Sequence, residues 1–279
     1  VNTRLNALEY ALTDSEFDRL RRIVRQLTGI SLADSKRELV YSRLARRLRK
    51  LRLTSFSDYC SLVERGDVGE LQELTNAMTT NLTSFFREKY HFEQLAAETL
   101  PVVAGQRAES RRIRLWSAGC STGEEPYSMA MVLREAQRGL ANWDVRLLAT
   151  DIDSKVVQTA AAGVYAADRL KGVEAQRVSR WFKPDPLAQH YTAGDELKSL
   201  ITFKQLNLLD TWPVKGPFDV IFCRNVAIYF DKDTQRELFE RMAGLQEPGG
   251  WLFIGHSENL QNLTRRYKLV GRTVYRRAE

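Results

Sequence analysis

Cysteine and histidine are scarce in this chain, with three of each among 279 residues. Cys60, Cys120 and Cys223 form an odd set without metal-like spacing, and His91, His190 and His256 are just as scattered. No metal site is therefore expected, and a disulfide-stapled scaffold is excluded. The same usage suits a reducing compartment, so a cytoplasmic location is expected. No apolar run reaches membrane-spanning length, which argues against direct membrane insertion. Arg4 and Glu9 interrupt any apolar core near Val1, so no signal peptide is read there. Internal repeats and low-complexity segments are missing as well.

What is abundant is positive charge, and it is unevenly placed. The net charge is +7, yet Lys36, Arg37, Arg43, Arg46, Arg47, Arg49, Lys50 and Arg52 stand together against a single acid, Glu38. Leu39, Leu44, Leu48 and Leu51 fall near helical spacing, which makes this a basic amphipathic helix. Its outer face, with Arg43, Arg46, Arg47 and Lys50, is expected to attract a polyanionic partner.

The chain is long enough for one large and one smaller domain. Residues 1 to about 85 look all-helical. Thr13-Asp14-Ser15-Glu16 carries a capping signal, followed by Phe17, Leu20, Ile23, Val24 and Leu27 on one face before Gly29. Further helices are expected around Ser57–Glu64 and Val68–Met78, and a linking helix from Tyr90 to Leu100, halted near Pro101. From Arg111 onward, strands alternate with helices, the pattern of a parallel sheet covered on both faces. A small antiparallel insertion is expected at about 173–202, with a turn at Ala193-Gly194-Asp195. Phe218–Cys223 reads as a buried central strand, and Leu269–Tyr275 as the last strand.

One unit of this pattern carries chemistry. A strand at Ile113–Ser117 runs into Ala118-Gly119-Cys120-Ser121-Thr122-Gly123, and a helix begins near Glu124. Small residues let backbone N–H groups approach a ligand. Glu124 and Glu125 would repel a phosphate, and favour a ligand with positive charge or sugar hydroxyls, such as S-adenosylmethionine. A second strand, Asp144–Ala149, ends at Thr150-Asp151-Ile152-Asp153. A carboxylate there can accept from both ribose hydroxyls, and Asp151 is the better candidate. Asp153 is equally suited to cap the helix starting at Ser154.

Arg224 and Asn225 directly follow the central strand, whose carboxyl end borders the crevice where open α/β sheets bind ligands. Both are expected to line that crevice, with Tyr229 nearby. Thr79-Thr80-Asn81-Leu82-Thr83-Ser84-Phe85-Phe86-Arg87-Glu88, between the domains, is rich in hydroxyl and amide groups. It reads as a polar lid, with Arg87 set to meet a carboxylate.

Five segments together closely resemble the CheR family of chemotaxis receptor methyltransferases: Asn81–Glu88, Ser117–Ser128, Thr150–Asp153, Phe222–Val226 and Gly255–Asn259. The resemblance spans nearly the whole chain in the family's order. It implies a class I S-adenosylmethionine-dependent methyltransferase: a Rossmann-like α/β sheet, a helical N-terminal domain and a small antiparallel β insertion. Implied boundaries are a receptor-docking domain at 1–88, a linker helix at 89–110 and the methyltransferase domain at 111–279. The implied activity is transfer of methyl from S-adenosylmethionine to glutamate side chains of chemoreceptors, leaving S-adenosylhomocysteine. Implied cofactor contacts fall on Asn81, Thr83, Arg87, Gly119, Glu125, Asp151, Asn207, Leu208, Arg224 and Asn225. On charge, Glu125 suits the cationic end of the cofactor and Arg87 its carboxylate, while Asn207-Leu208 is placed to meet the adenine. Implied partners are the acidic methylation helices of membrane chemoreceptors, which the basic helix would dock, and a receptor C-terminal tethering peptide held by the β insertion. The enzyme would thus be recruited to receptor arrays.

Such chemistry demands little of the protein. A glutamate side chain is already anionic at neutral pH, so no general base is needed. Catalysis then reduces to alignment of oxygen, methyl carbon and sulfur, with Arg224 or Tyr229 as the expected catalytic groups orienting the incoming carboxylate. A nucleic-acid methyltransferase would share the sheet, but Cys223-Arg224-Asn225-Val226 lacks the Asn/Asp-Pro-Pro-Tyr pattern of base amino-group methylation, and no basic surface is interleaved with aromatics. No nucleic-acid partner is expected. A non-catalytic cofactor-binding sensor is the other alternative.

Overall fold

Thr13 starts α1 (Asp14–Thr28) through a reciprocal cap: its hydroxyl accepts the Glu16 N–H at 3.3 Å, and the Glu16 carboxylate accepts the Thr13 N–H at 2.7 Å. Gly29, at φ 73°, ends the helix with its N–H on the Arg25 carbonyl. The structure, a computed structural model, describes residues 9–136, 142–185 and 187–279, and the chain divides into two units between Thr80 and Asn81. In the first unit, α1 is joined by α2 (Arg37–Leu51), α3 (Phe56–Glu64) and α4 (Val68–Met78). Phe17, Leu20, Leu44, Leu48, Phe56, Tyr59 and Leu74 meet in one core. The inward row of α2 is Val40, Leu44, Ala45 and Leu48. Leu39, expected on that row, is 36% exposed, because Val40 rather than Leu39 stacks one turn before Leu44.

The second unit is built on seven strands: β1 (Arg112–Ala118), β2 (Asp144–Asp151), β6 (Ile201–Gln205), β7 (Val220–Cys223), β8 (Trp251–Ile254), β9 (Tyr267–Gly271) and β10 (Val274–Arg277). Their order is β6-β2-β1-β7-β8-β10-β9, parallel except for β10, which runs against both neighbours. Chain order reverses between β1 and β7, so a crevice opens outside their carboxyl ends. Every residue of β7 is buried, as a strand covered on both faces requires. One face packs Phe85, Leu95, Leu100, Met129 and Leu133 against Leu115, Phe222 and Phe253. The other packs Leu238, Phe239 and Met242 of α11 (Lys232–Gly244) against Trp116, Ile221 and Leu252. This is the expected α/β class.

Four expectations are corrected. The helix from Tyr90 does not halt at Pro101. It runs as α5 (Tyr90–Gln94), a π-helical turn (Leu95–Thr99) and α6 (Leu100–Gln106). Pro101, lacking an N–H, directly follows the π-helical turn, where the hydrogen-bond ladder changes register. The small antiparallel sheet begins earlier than expected: β3 (Val164–Ala166), β4 (Phe182–Asp185) and β5 (His190–Ala193) are ordered β3-β5-β4. Its β4–β5 reversal precedes His190. Ala193-Gly194-Asp195 instead leads into a short helix, α10 (Asp195–Lys198), with the Gly194 N–H on the Trp181 carbonyl. The final strand is a hairpin, β9 and β10, reversing at Arg272-Thr273 with Thr273 at φ 52°.

Candidate active site

The loop after β1 is shaped by its glycines and by one carbonyl. The N–H groups of Gly119 and Cys120 both donate to the Thr150 carbonyl at 2.8 Å, which ties the loop to the end of β2. Gly119 stands at φ 105°, and a Cβ there would lie 2.3 Å from the Val226 side chain. Gly123, at φ 99°, turns the chain into α7 (Glu124–Glu135). Asp151 closes the other side. Its carboxylate accepts the Ser121 N–H at 2.8 Å and the Asp153 N–H at 3.0 Å. No cation pairs with it among the described residues, and burial pushes its carboxyl up to about 6 against the pull of those N–H donors. Two oxygens with lone pairs to spare, facing the crevice end of the sheet, fit a ligand that donates two hydroxyls.

Beside Asp151, the chain leaves β6 into Asn207 and Leu208, with the Leu206 N–H on the Asp151 carbonyl at 2.9 Å. Arg241 and the Trp212 indole N–H, both donating to the Leu208 carbonyl at 2.9 and 3.1 Å, hold this segment. Asp153 caps α8 (Ser154–Ala162) and also accepts from the Asn81 amide at 2.8 Å. The Ser121 hydroxyl donates to the Asn81 carbonyl at 2.9 Å, so the 81–88 segment is laid across the loop. Thr83 follows, its carbonyl accepting from Arg169 at 3.3 Å. Arg87 lies between Phe86 (φ 53°) and Glu88 (φ 57°), both left-handed. Its guanidinium donates to the Leu82 carbonyl at 2.8 Å and has no acidic partner among the described residues.

Arg224 is the hub. Its side chain is 2% exposed and its guanidinium meets Glu125 at 2.9 Å, Glu88 at 3.3 Å and the Arg87 carbonyl. Glu125 also accepts from the Ser117 hydroxyl at 2.7 Å. Burial raises the Glu125 carboxyl, with Arg224 and Ser117 pulling the other way. Burial would raise Glu88 as well, but His256, at 2.8 Å, and Arg224 prevail and bring it down to about 2. His91 is fully buried, and desolvation, joined by repulsion from Arg224, lowers it to about 4. Among the described residues no group of acids, histidines and cysteines is arranged to hold a metal ion.

Residues 81–276 match the CheR methyltransferase S-adenosylmethionine-binding domain, and residues 15–79 match the CheR methyltransferase all-alpha domain. The chain belongs to the CheR methyltransferase family. It is 47% identical to chemotaxis protein methyltransferase 2 of Pseudomonas aeruginosa, over 96% of this chain and 94% of that one. It is 45% identical to the chemotaxis protein methyltransferase of Escherichia coli, over 95% and 91% of the two chains. As a CheR family member it binds S-adenosylmethionine through the second unit.

The fold brings Asn81, Gly119, Glu125, Asp151, Arg224 and Asn225 around the ends of β1, β2 and β7, with Arg87 tied in through its carbonyl and Asn207-Leu208 beside Asp151. Two of the expected charges are engaged with one another. Arg224, expected to orient an incoming carboxylate, is buried and committed to Glu125, Glu88 and the Arg87 carbonyl, so it organises the site from behind. Glu125, expected to face the cationic end of the cofactor, is already balanced by Arg224. Neither Asp151 nor Arg87 has an ion-pair partner among the described residues, and Glu258 is met by backbone N–H groups alone. Tyr229 is half-buried in a short 3-10 turn, and its hydroxyl has no hydrogen-bond partner among the described residues. Glu88 and His256 were legible only as members of motifs, and His91 only as a scattered histidine, because their roles are contacts far along the chain: Glu88 with Arg224 and His256, and His91 with Arg272 and Thr273. The signal for His256 and Glu258 was the Gly255–Asn259 motif itself.

The basic helix is corrected as well. Arg43 donates to the carbonyls of Ala77, Met78 and Thr79, closing the end of α4. Arg47 is 14% exposed and engages Glu70 and Glu73. Both serve the helical unit itself. Lys36, Arg46, Arg49, Lys50 and Arg52 are the exposed cations of this stretch.

Proposed function

We infer that this chain is a protein-glutamate O-methyltransferase of chemotaxis adaptation, methylating glutamate side chains on the cytoplasmic helices of membrane chemoreceptors. Similarity over nearly the full length to chemotaxis protein methyltransferases supports it. The single structural observation that carries it is the pairing of an uncompensated carboxylate, Asp151, with an uncompensated guanidinium, Arg87, around a small-residue loop. S-adenosylmethionine, when bound, supplies an electrophilic methyl group on a sulfonium. Asp151 accepts the ribose hydroxyls, Arg87 meets the amino-acid carboxylate and Asn207-Leu208 borders the base. Asn81 and Thr83 close the segment over the loop, while Gly119 lets the loop pass against Val226 on its way around the ligand.

The residues around the crevice then have one task, to align an anionic nucleophile that needs no base. Arg224, held by Glu125 and Glu88, fixes the carboxyl end of β7, and Tyr229 orients the substrate carboxylate. The first unit docks the acidic receptor helices through Arg46 and Lys50, with Arg49 and Arg52 beside them. A groove of about 550 Å³ beside the small sheet, lined by Leu170, Val173, Val178, Phe182 and Tyr191, suits a receptor C-terminal peptide. The enzyme thereby works in the cytoplasm at receptor arrays. No described helix is long and apolar enough to cross a membrane.

The test is incubation with methyl-labelled S-adenosylmethionine and chemoreceptor-containing membranes, followed by alkali. Label on the receptor, released as methanol, supports the reading. Label stable to alkali, or none on the receptor, overturns it.

A further inference from the structure

Gly255-His256-Ser257-Glu258-Asn259 directly follows β8, and nothing above assigns Glu258 a task. The chain turns back on itself there: the Glu258 N–H donates to the Gly255 carbonyl at 2.9 Å, and the Gly255 N–H donates to the Glu258 carboxylate at 2.6 Å. That carboxylate is 7% exposed. It also accepts the N–H groups of Asn225 at 2.9 Å, Val226 at 3.1 Å and Ile228 at 3.2 Å. The loop after β7 is thus wrapped around a buried anion, held by charge-assisted bonds. Asn225 adopts φ 58°, and a Cβ on Gly255 would lie 2.3 Å from its side-chain nitrogen. Only glycine leaves the space through which the loop passes.

The arrangement has a chemical consequence. The N–H groups of Asn225, Val226 and Ile228 are committed to Glu258, so none of them can receive an incoming carboxylate. Orientation falls to a side chain. The Tyr229 hydroxyl, one residue beyond the last of these bonds, has no hydrogen-bond partner among the described residues and is the hydroxyl this loop leaves for that task. We propose that Glu258 is a positioning residue for methyl transfer: it holds the Asn225–Ile228 backbone so that the Tyr229 hydroxyl meets the substrate carboxylate. The proposal rests on the methyltransferase reading above.

Glu258→Gln keeps the size of the side chain and replaces one acceptor oxygen with a donor aimed at N–H groups. Its kcat for receptor methylation should fall about a hundredfold, the consequence of a displacement on the order of 1 Å. Calorimetric affinity for S-adenosylhomocysteine should fall far less than kcat, since Asn225 is one of several cofactor contacts. Amide exchange at Asn225, Val226 and Ile228 should accelerate while β1 and β8 keep their protection. Glu258→Asp keeps the charge but is too short to reach all four donors; it should show the same split and serves if the glutamine variant does not fold. A lower unfolding midpoint with unchanged kcat per folded molecule would mean stability alone and overturns the proposal. Affinity falling in parallel with kcat overturns it too. Wild-type protein that forms no base-labile receptor ester overturns the functional reading instead, an outcome separate from a variant that matches an active wild type.

Discussion

Replacing Arg47 separates folding from docking on one helix. Glu70 is 4% exposed and its carboxylate accepts from Arg47 at 2.8 and 2.5 Å and from the Tyr59 hydroxyl at 2.8 Å. Arg47→Met keeps most of the stem but leaves that carboxylate with Tyr59 as its remaining donor among these contacts. Removing one partner of a buried ion pair costs about 3–5 kcal/mol, because the other charge stays desolvated. The Arg47–Glu73 contact, with Glu73 27% exposed, adds less than about 1 kcal/mol. Replacing both partners, as Arg47→Met with Glu70→Leu, should restore most of the loss, since neither charge is then buried alone. Arg46→Met, on the exposed side of the same helix, should change stability by less than about 0.5 kcal/mol. Urea unfolding of the full chain, followed by far-UV circular dichroism, measures all three. All five tryptophans lie beyond residue 81, so loss that begins in the helical unit registers in the helical signal without a matching tryptophan change. An Arg47→Met protein within about 0.5 kcal/mol of wild type, the size of an ordinary surface effect, would refute the burial argument.

Arg46→Glu with Lys50→Glu should lower receptor methylation while calorimetric affinity for S-adenosylhomocysteine holds, and the difference from wild type should shrink as salt rises; equal rates at every salt concentration would count against docking. Asp151→Asn should weaken S-adenosylhomocysteine about a hundredfold, since each of two hydroxyl donors exchanges a charged acceptor, worth about 1.5–3 kcal/mol, for a neutral one worth about 0.5–1.5 kcal/mol. Wild-type affinity should itself decline as pH falls through about 6, where the Asp151 carboxyl takes up a proton. His91 takes up a proton near pH 6.5 in the unfolded chain but only near 4 in the folded one, so the unfolded state binds more protons in that window. Stability should therefore fall by about 3 kcal/mol as pH drops from 6.5 to 4, and His91→Gln should flatten that part of the profile; Glu88, depressed to about 2, loses its contribution in a separate window below about 4.5.

The alternation after Arg111 sufficed for the sheet class, because a strand with both faces covered must be apolar throughout, as Val220–Cys223 is. The loop from Gly119 to Gly123 and the carboxylate at Asp151 were legible for the same kind of reason: small residues and an acid at a strand end are local chemistry. Partnership was not legible. Sequence periodicity places Arg43, Arg46, Arg47 and Lys50 on one basic helix, yet two of them close the bundle from within, because a long side chain near an apolar row can reach across it. Arg224 stands where a substrate clamp would stand, and only the packing of α7 and the 81–88 segment turns Glu125 and Glu88 onto it. Local sequence determined which elements form and where the sheet opens its crevice. Tertiary structure decided which charges neutralise one another and which remain for the cofactor, since charge pairing depends on distance through space and burial, neither of which is written along the chain.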